Sequence, residues 1–89
     1  MSAGSGIIHE EMPHTAGGKE GIKGFQLWIN LPRDKKMSKP NYADVKSADV
    51  PVVSEGGAMI RILGGAYKDT KGPVTHVTIP TTYLDVSLE

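Results

Sequence analysis

The chain has 89 residues, ten Lys+Arg against ten Asp+Glu, no cysteine, and formal net charge 0. That length suggests one domain burying only about 60–65% of its extended-chain surface, so partners are expected to contribute to stability. The charge balance speaks against nucleic acid as a main partner, the missing cysteines exclude disulfides, and no apolar run is long enough for a membrane helix.

The opening residues, Met1-Ser2-Ala3-Gly4-Ser5-Gly6, carry neither a positive n-region nor an apolar h-region. A secretion signal is therefore not expected, and a cytoplasmic protein is. Next comes Gly6-Ile7-Ile8-His9-Glu10-Glu11-Met12-Pro13. A strand over residues 7–12 would place Ile7, His9 and Glu11 on one face and Ile8, Glu10 and Met12 on the other. An imidazole and a carboxylate two residues apart on one face can ligate a single metal ion. They are half a site, because His/carboxylate centres for first-row metals use at least three protein ligands. The eight residues before His9 include no His, Cys, Asp or Glu. His14 is a further candidate ligand from the following loop, although Pro13 turns the chain between it and Glu11. The alternative reading of His9 and Glu11 is a partly solvated pair bonded to each other, without metal.

Residues 15–21 form a glycine-rich connector. Phe25, Leu27, Ile29 and Leu31 then alternate with Gln26, Trp28 and Asn30 up to Pro32, the clearest strand pattern in the chain. On it, Gln26 and Trp28 share a face. Gln26 could stand near a bound substrate, while Trp28 reads more simply as a ring packed at a sheet surface with its N–H bonded. Residues 32–51 are polar, lysine-bearing and interrupted by Pro40, so an irregular connection with one short helical turn is expected. Loops of that length mark crossovers or functional segments. Arg33, Lys35, Lys36 and Lys39 lie there among Asp34, Asp44 and Asp49, which reads as a solvated loop rather than a nucleic-acid patch.

Further strands are expected at residues 52–54, 58–63, 73–79 and 82–88. His76 falls on a strand face with Val74 and Thr78, and Leu84, Val86 and Leu88 share a face. No helix of ten residues is indicated. The expected class is all-β, a barrel or sandwich of about six strands whose boundary strands need neighbours. Nucleophile-elbow, P-loop and paired-cysteine zinc motifs are missing, which leaves hydrolase, NTPase and zinc-finger readings without support.

Several of these motifs together resemble one family. Gly4-Ser5-Gly6-Ile7-Ile8-His9-Glu10-Glu11-Met12-Pro13 is similar to the G-x-G-I-x-H-x-E-M-P stretch of pirins, bicupin proteins of the cupin superfamily. Gly24-Phe25-Gln26-Leu27-Trp28-Ile29-Asn30-Leu31-Pro32 resembles their Q-L-W-x-N-L-P strand. The resemblance continues at residues 35–37 and 40–42 (K-M-x-P-x-Y), 49–51, 60–64, 72–74 and 82–88 (Y-Y-L-D-x-x-L). It implies a partial cupin barrel completed by another chain. Residues 1–31 would be the end of a first cupin, 32–51 an interdomain-like connection, and 52–89 the opening strands of a second.

The resemblance also implies a metal, iron or another divalent ion, held by four ligands. Two come from an upstream H-x-H strand, and His9 and Glu11 match the last pair. This sequence contains no H-x-H, so metal binding is expected to be weak or lost. Pirins carry quercetin 2,3-dioxygenase activity and act as iron-dependent transcriptional cofactors. Three expectations follow for this chain: a non-enzymatic segment that folds by forming a homo-oligomer through its strand edges, a dioxygenase whose site is completed by oligomerisation or a partner, or a protein-binding module. No nucleic acid or membrane partner is expected.

Overall fold

The structure, a computed structural model, describes residues 1–12, 21 and 23–89. Among them, regular structure is two short 3-10 turns and five strands. The strands are β1 (Val52–Glu55), β2 (Ala58–Gly64), β3 (Ala66–Tyr67), β4 (Thr70–Lys71) and β5 (Tyr83–Leu88). The class is all-β, as the alternation indicates. β1, β2 and β5 form one antiparallel sheet in that order, and β3 pairs with β4 in a small hairpin.

Two glycines make the β1–β2 hairpin. Gly56 and Gly57 both take positive φ, 55° and 79°, as the tight two-residue turn that matches strand twist requires. The ladder then pairs Val53 with Ile60 and Glu55 with Ala58. On its other side β2 pairs Ala58 with Leu88, Ile60 with Val86 and Ile62 with Leu84, until the register shifts between Ile62 and Gly64. Residues directly opposite one another share a face. One face therefore carries Val53, Ile60, Ile62, Leu84, Val86 and Leu88, and the other carries Ser54, Met59, Arg61, Asp85 and Ser87.

The apolar face is covered at one end only. Ile62 is fully buried, Ile60 is 7% exposed and Val50 8%, whereas Val86 and Leu88 at the other end are exposed. Among the described residues, Val50, Ile60 and Ile62 make up the buried hydrophobic core. Gly65 lets the chain turn against the stretch leading into β5. Its φ is 74°, and a Cβ there would sit 2.7 Å from the Thr81 carbonyl oxygen. Lys68 also has positive φ, 50°, in the β3–β4 turn. Its ammonium pairs with Glu55 while the Tyr67 hydroxyl donates to the same carboxylate at 3.2 Å. The two hairpins are held together at that point.

The described residues before 47 have a different organisation. Ser2 and Asn41 exchange backbone hydrogen bonds at 2.7 and 2.9 Å, and the Ser5 N–H donates to Ser38 at 2.9 Å. The opening residues thus lie along the connection rather than in a ladder of their own. That connection contains two short turns, Arg33–Lys35 and Ser47–Asp49, where the sequence suggests one.

Among the described residues, three expected strands are not found as ladder strands. Residues 7–12 and 25–31 take no ladder partner among the described residues, and residues 73–79 make only a bridge from Val74 to Gly64. Alternation confers the side-chain pattern of a strand, but a ladder also needs a second backbone, and isolated strands are not stable in water. Consequently Phe25 is 98% exposed and Trp28 85%. Conversely, the β3–β4 hairpin carries little signal in its sequence, because Lys68-Asp69 is an unusual pair for a tight turn.

The molecule is correspondingly thin. Its extents are 43 × 38 × 18 Å and its radius of gyration is 15.4 Å, against about 12 Å for a compact domain of this length.

Candidate metal half-site

His9, Glu11, Gln26 and Trp28 form one connected group. The His9 Nε2 lies 3.5 Å from Glu11 Oε1, and Gln26 Nε2 donates to the same oxygen at 3.5 Å. The Trp28 indole N–H in turn donates to Gln26 Oε1 at 2.9 Å. The spacing of two places each pair, His9/Glu11 and Gln26/Trp28, within reach on its own segment. The link between the segments spans fifteen positions, and nothing local in the sequence announces it.

The group lies at the surface. One third of the His9 side chain and 70% of the Glu11 side chain are exposed. Both donors are therefore open to solvent, and a metal there would compete with water for them. Their separation suits one ion: donors at about 2.1 Å from a metal stand roughly 3.0–3.4 Å apart at neighbouring vertices. The number of donors does not suit one. No group of three His, Cys, Asp or Glu that could hold a metal occurs among the described residues. His9 and Glu11 alone fall one ligand short of the smallest His/carboxylate centre. His14, the third candidate, lies outside the described residues. His76 is exposed, far along the chain on a segment without a ladder, and Glu10 is exposed beside the pair.

The basic residues of the connection are exposed as the sequence suggests. Lys36 donates to the Asn30 side chain at 2.6 Å. No helix among the described residues is long and apolar enough to cross a membrane.

The described residues form an all-β segment with antiparallel sheets, consistent with part of a cupin-type fold. Comparison with known proteins narrows that class. The chain is 40% identical over 90 residues to a pirin-like protein of Caulobacter vibrioides, an alignment covering 99% of this chain and 32% of that protein. It is 40% identical to pirin-1 of Arabidopsis thaliana and 38% identical to human pirin, covering all of this chain and 29% of each. The chain matches pirin and pirin-like proteins along its whole length, as a segment of such a protein would, and it spans about 30% of the length of these relatives. No family model and no solved structure matches it.

Proposed function

We propose that this chain is a pirin-like β segment that acts by assembling with another polypeptide and contributes half of a metal site, without a complete catalytic centre of its own. The observation that carries this reading is the surface it leaves open. The accessible area is 7856 Å², whereas a compact chain of this mass exposes about 5,000 Å². The excess is much of it apolar, including Ile8, Phe25, Leu27, Trp28, Val86 and Leu88. Exposed apolar surface of this extent points to association. A homo-oligomer covers it without requiring a second gene product, and a protein-binding role would use the same surfaces.

A second reading is supported by the 3.5 Å separation of His9 and Glu11, which fits two ligands of one ion. In it, assembly or a partner brings further donors to the pair, iron or another divalent metal is bound, and a dioxygenase activity of the quercetin 2,3-dioxygenase type becomes available. Two copies meeting at this site would supply two His and two Glu, an oxygen-rich set that suits iron or manganese.

Elemental analysis of untagged protein, together with light-scattering mass, separates the two. A metal-free oligomer whose melting is indifferent to chelator supports the first reading and removes the second. One metal per two chains, lost in His9→Ala, establishes the second. A monomer at high micromolar concentration that still melts cooperatively overturns the self-association common to both.

A further inference from the structure

We propose that two copies of this chain pair antiparallel through the free edge of β5, with Val86 on the two-fold axis, to make a continuous six-stranded sheet. The inference rests on the self-association proposed above and specifies its interface.

The hydrogen-bonding direction of β5 can be read from its ends. The Glu89 N–H donates to Gly57 at 3.0 Å, so residue 89 faces β2. In an antiparallel ladder, facing and non-facing pairs alternate, so Ser87 and Asp85 also face β2. On the far side of β2, the Ile62 N–H donates to Pro51 at 3.0 Å, which places the backbone of Ile62 away from its partner Leu84, in agreement. The backbone groups of Leu84, Val86 and Leu88 therefore point outward. Among the described residues β5 has one ladder neighbour, β2. It is a six-residue edge without proline, bulge or covering strand, the kind that recruits another strand. The opposite edge, β1, is four residues long and follows Pro51, which makes it the poorer template.

The charge pattern selects the register. With Val86 opposite its own copy, Leu84 stands opposite the partner's Leu88, and Asp85 stands opposite the partner's Ser87. Of the two neighbouring symmetric registers, one would put Asp85 directly against the partner's Asp85 and the other would put Asp85 against the partner's Glu89, both like-charge pairs that destabilise. The register centred on Val86 also continues the apolar face, since Val86 and Leu88, 49% and 80% exposed, gain neighbours from the second copy. The surface exceeds that of a compact chain by roughly 2,800 Å². A standard interface takes about 800 Å² from each partner, well within that excess.

Two kinds of variant test this on the full 89-residue chain. Val86→Pro removes an outward N–H and no bond to β2, a placement edge strands tolerate. Light scattering is expected to show the wild type at twice the 9.5 kDa chain mass and Val86→Pro at once that mass, with the β-sheet circular dichroism retained. Because the chain has no cysteine, single-cysteine variants report the register without relying on Val86→Pro to fold. Val86→Cys is expected to form a disulfide dimer on oxidation, since directly opposed residues lie about 5.5 Å apart. Asp85→Cys, at a diagonal separation of about 7–8 Å, is expected to crosslink at least tenfold more slowly. Faster crosslinking of Asp85→Cys overturns the register. A wild-type dimer in which neither cysteine crosslinks and Val86→Pro stays dimeric overturns the β5 edge while leaving self-association standing. A monomeric wild type overturns both. Open-ended growth into filaments instead of a closed dimer indicates β1-to-β5 pairing and also overturns the proposal.

Discussion

Ile62, the fully buried side chain of the sheet, stands directly opposite Leu84 across the β2–β5 ladder, one step before the register slips at Gly64. This pair anchors the covered end of an apolar face that is open at Val86 and Leu88. The slip turns the chain at the place where Gly65 packs against Thr81 and Thr82. Much of the fold's cohesion is concentrated at that end of the sheet.

Truncating the anchor should therefore be severe. Ile62→Ala is expected to cost roughly 2–5 kcal/mol, and Ile62→Val about 0.5–1.5 kcal/mol. With a core this small, Ile62→Ala should abolish the cooperative urea transition while Ile62→Val only lowers its midpoint. A midpoint unchanged in Ile62→Ala would show that the side chain is not the anchor.

Glycine substitutions should rank by what the new Cβ meets. Gly65→Ala combines positive φ with backbone atoms 2.7 and 2.9 Å away, so its loss should exceed the roughly 1 kcal/mol typical of an unfavourable backbone conformation. Gly56→Ala has positive φ but open space around it and should cost about 1 kcal/mol. Thermal melts of the two variants at equal concentration give the comparison.

The Glu55–Lys68 pair makes a prediction about pH. The hydrogen bond from the Lys68 ammonium, aided by the Tyr67 hydroxyl and the nearby charge, holds the Glu55 carboxyl below the ordinary carboxylate range. The same hydrogen bond raises the Lys68 ammonium above the usual lysine range. A lowered carboxylate stabilises the fold at pH values above its unfolded-state titration, and that contribution fades as pH falls through the folded value. A raised ammonium contributes below its unfolded-state titration and loses its effect as pH rises through the folded value. The pair should thus act fully between the ordinary carboxylate and lysine ranges and fade at both extremes. Both side chains are well exposed, so the effect is small and screened by salt. Melting temperature against pH should be flatter on its acid side in Glu55→Gln, with the difference reduced in 1 M NaCl.

Trp28 supplies an optical report on the half-site, as the chain's single tryptophan joined through Gln26 to Glu11. Titration with Co²⁺ or Cu²⁺ should quench its fluorescence. His9→Ala should weaken the quenching roughly tenfold or more, since even outer-shell changes around a metal cost 10–100-fold. His76→Ala should leave it unchanged. Quenching that survives both His9→Ala and Glu11→Gln would place the ion elsewhere.

Legibility in the sequence followed the availability of partners. β1, β2 and β5 were readable because Val52, Ala58 to Leu63 and Leu84 to Leu88 combine alternation with glycine turns, and the folded chain supplies each with a neighbour. Phe25 to Leu31 alternate more clearly than any of them and form no ladder among the described residues, because a side-chain pattern does not provide a second backbone. His9 next to Glu11 was readable for the same reason that Gln26 next to Trp28 was: a two-residue step repeats a face. Their union was not, because contacts between segments fifteen residues apart depend on how the intervening chain turns.

The sequence by itself determined the all-β class, the likeness to pirins and the spacing that sets His9 beside Glu11, since each depends on residue identity and short-range spacing. The tertiary structure decided which alternating runs became strands, that Gln26 bridges to Glu11, and that one apolar face stays open along β5. Those outcomes belong to long-range pairing, where the free energy comes from surfaces meeting rather than from any one segment's composition.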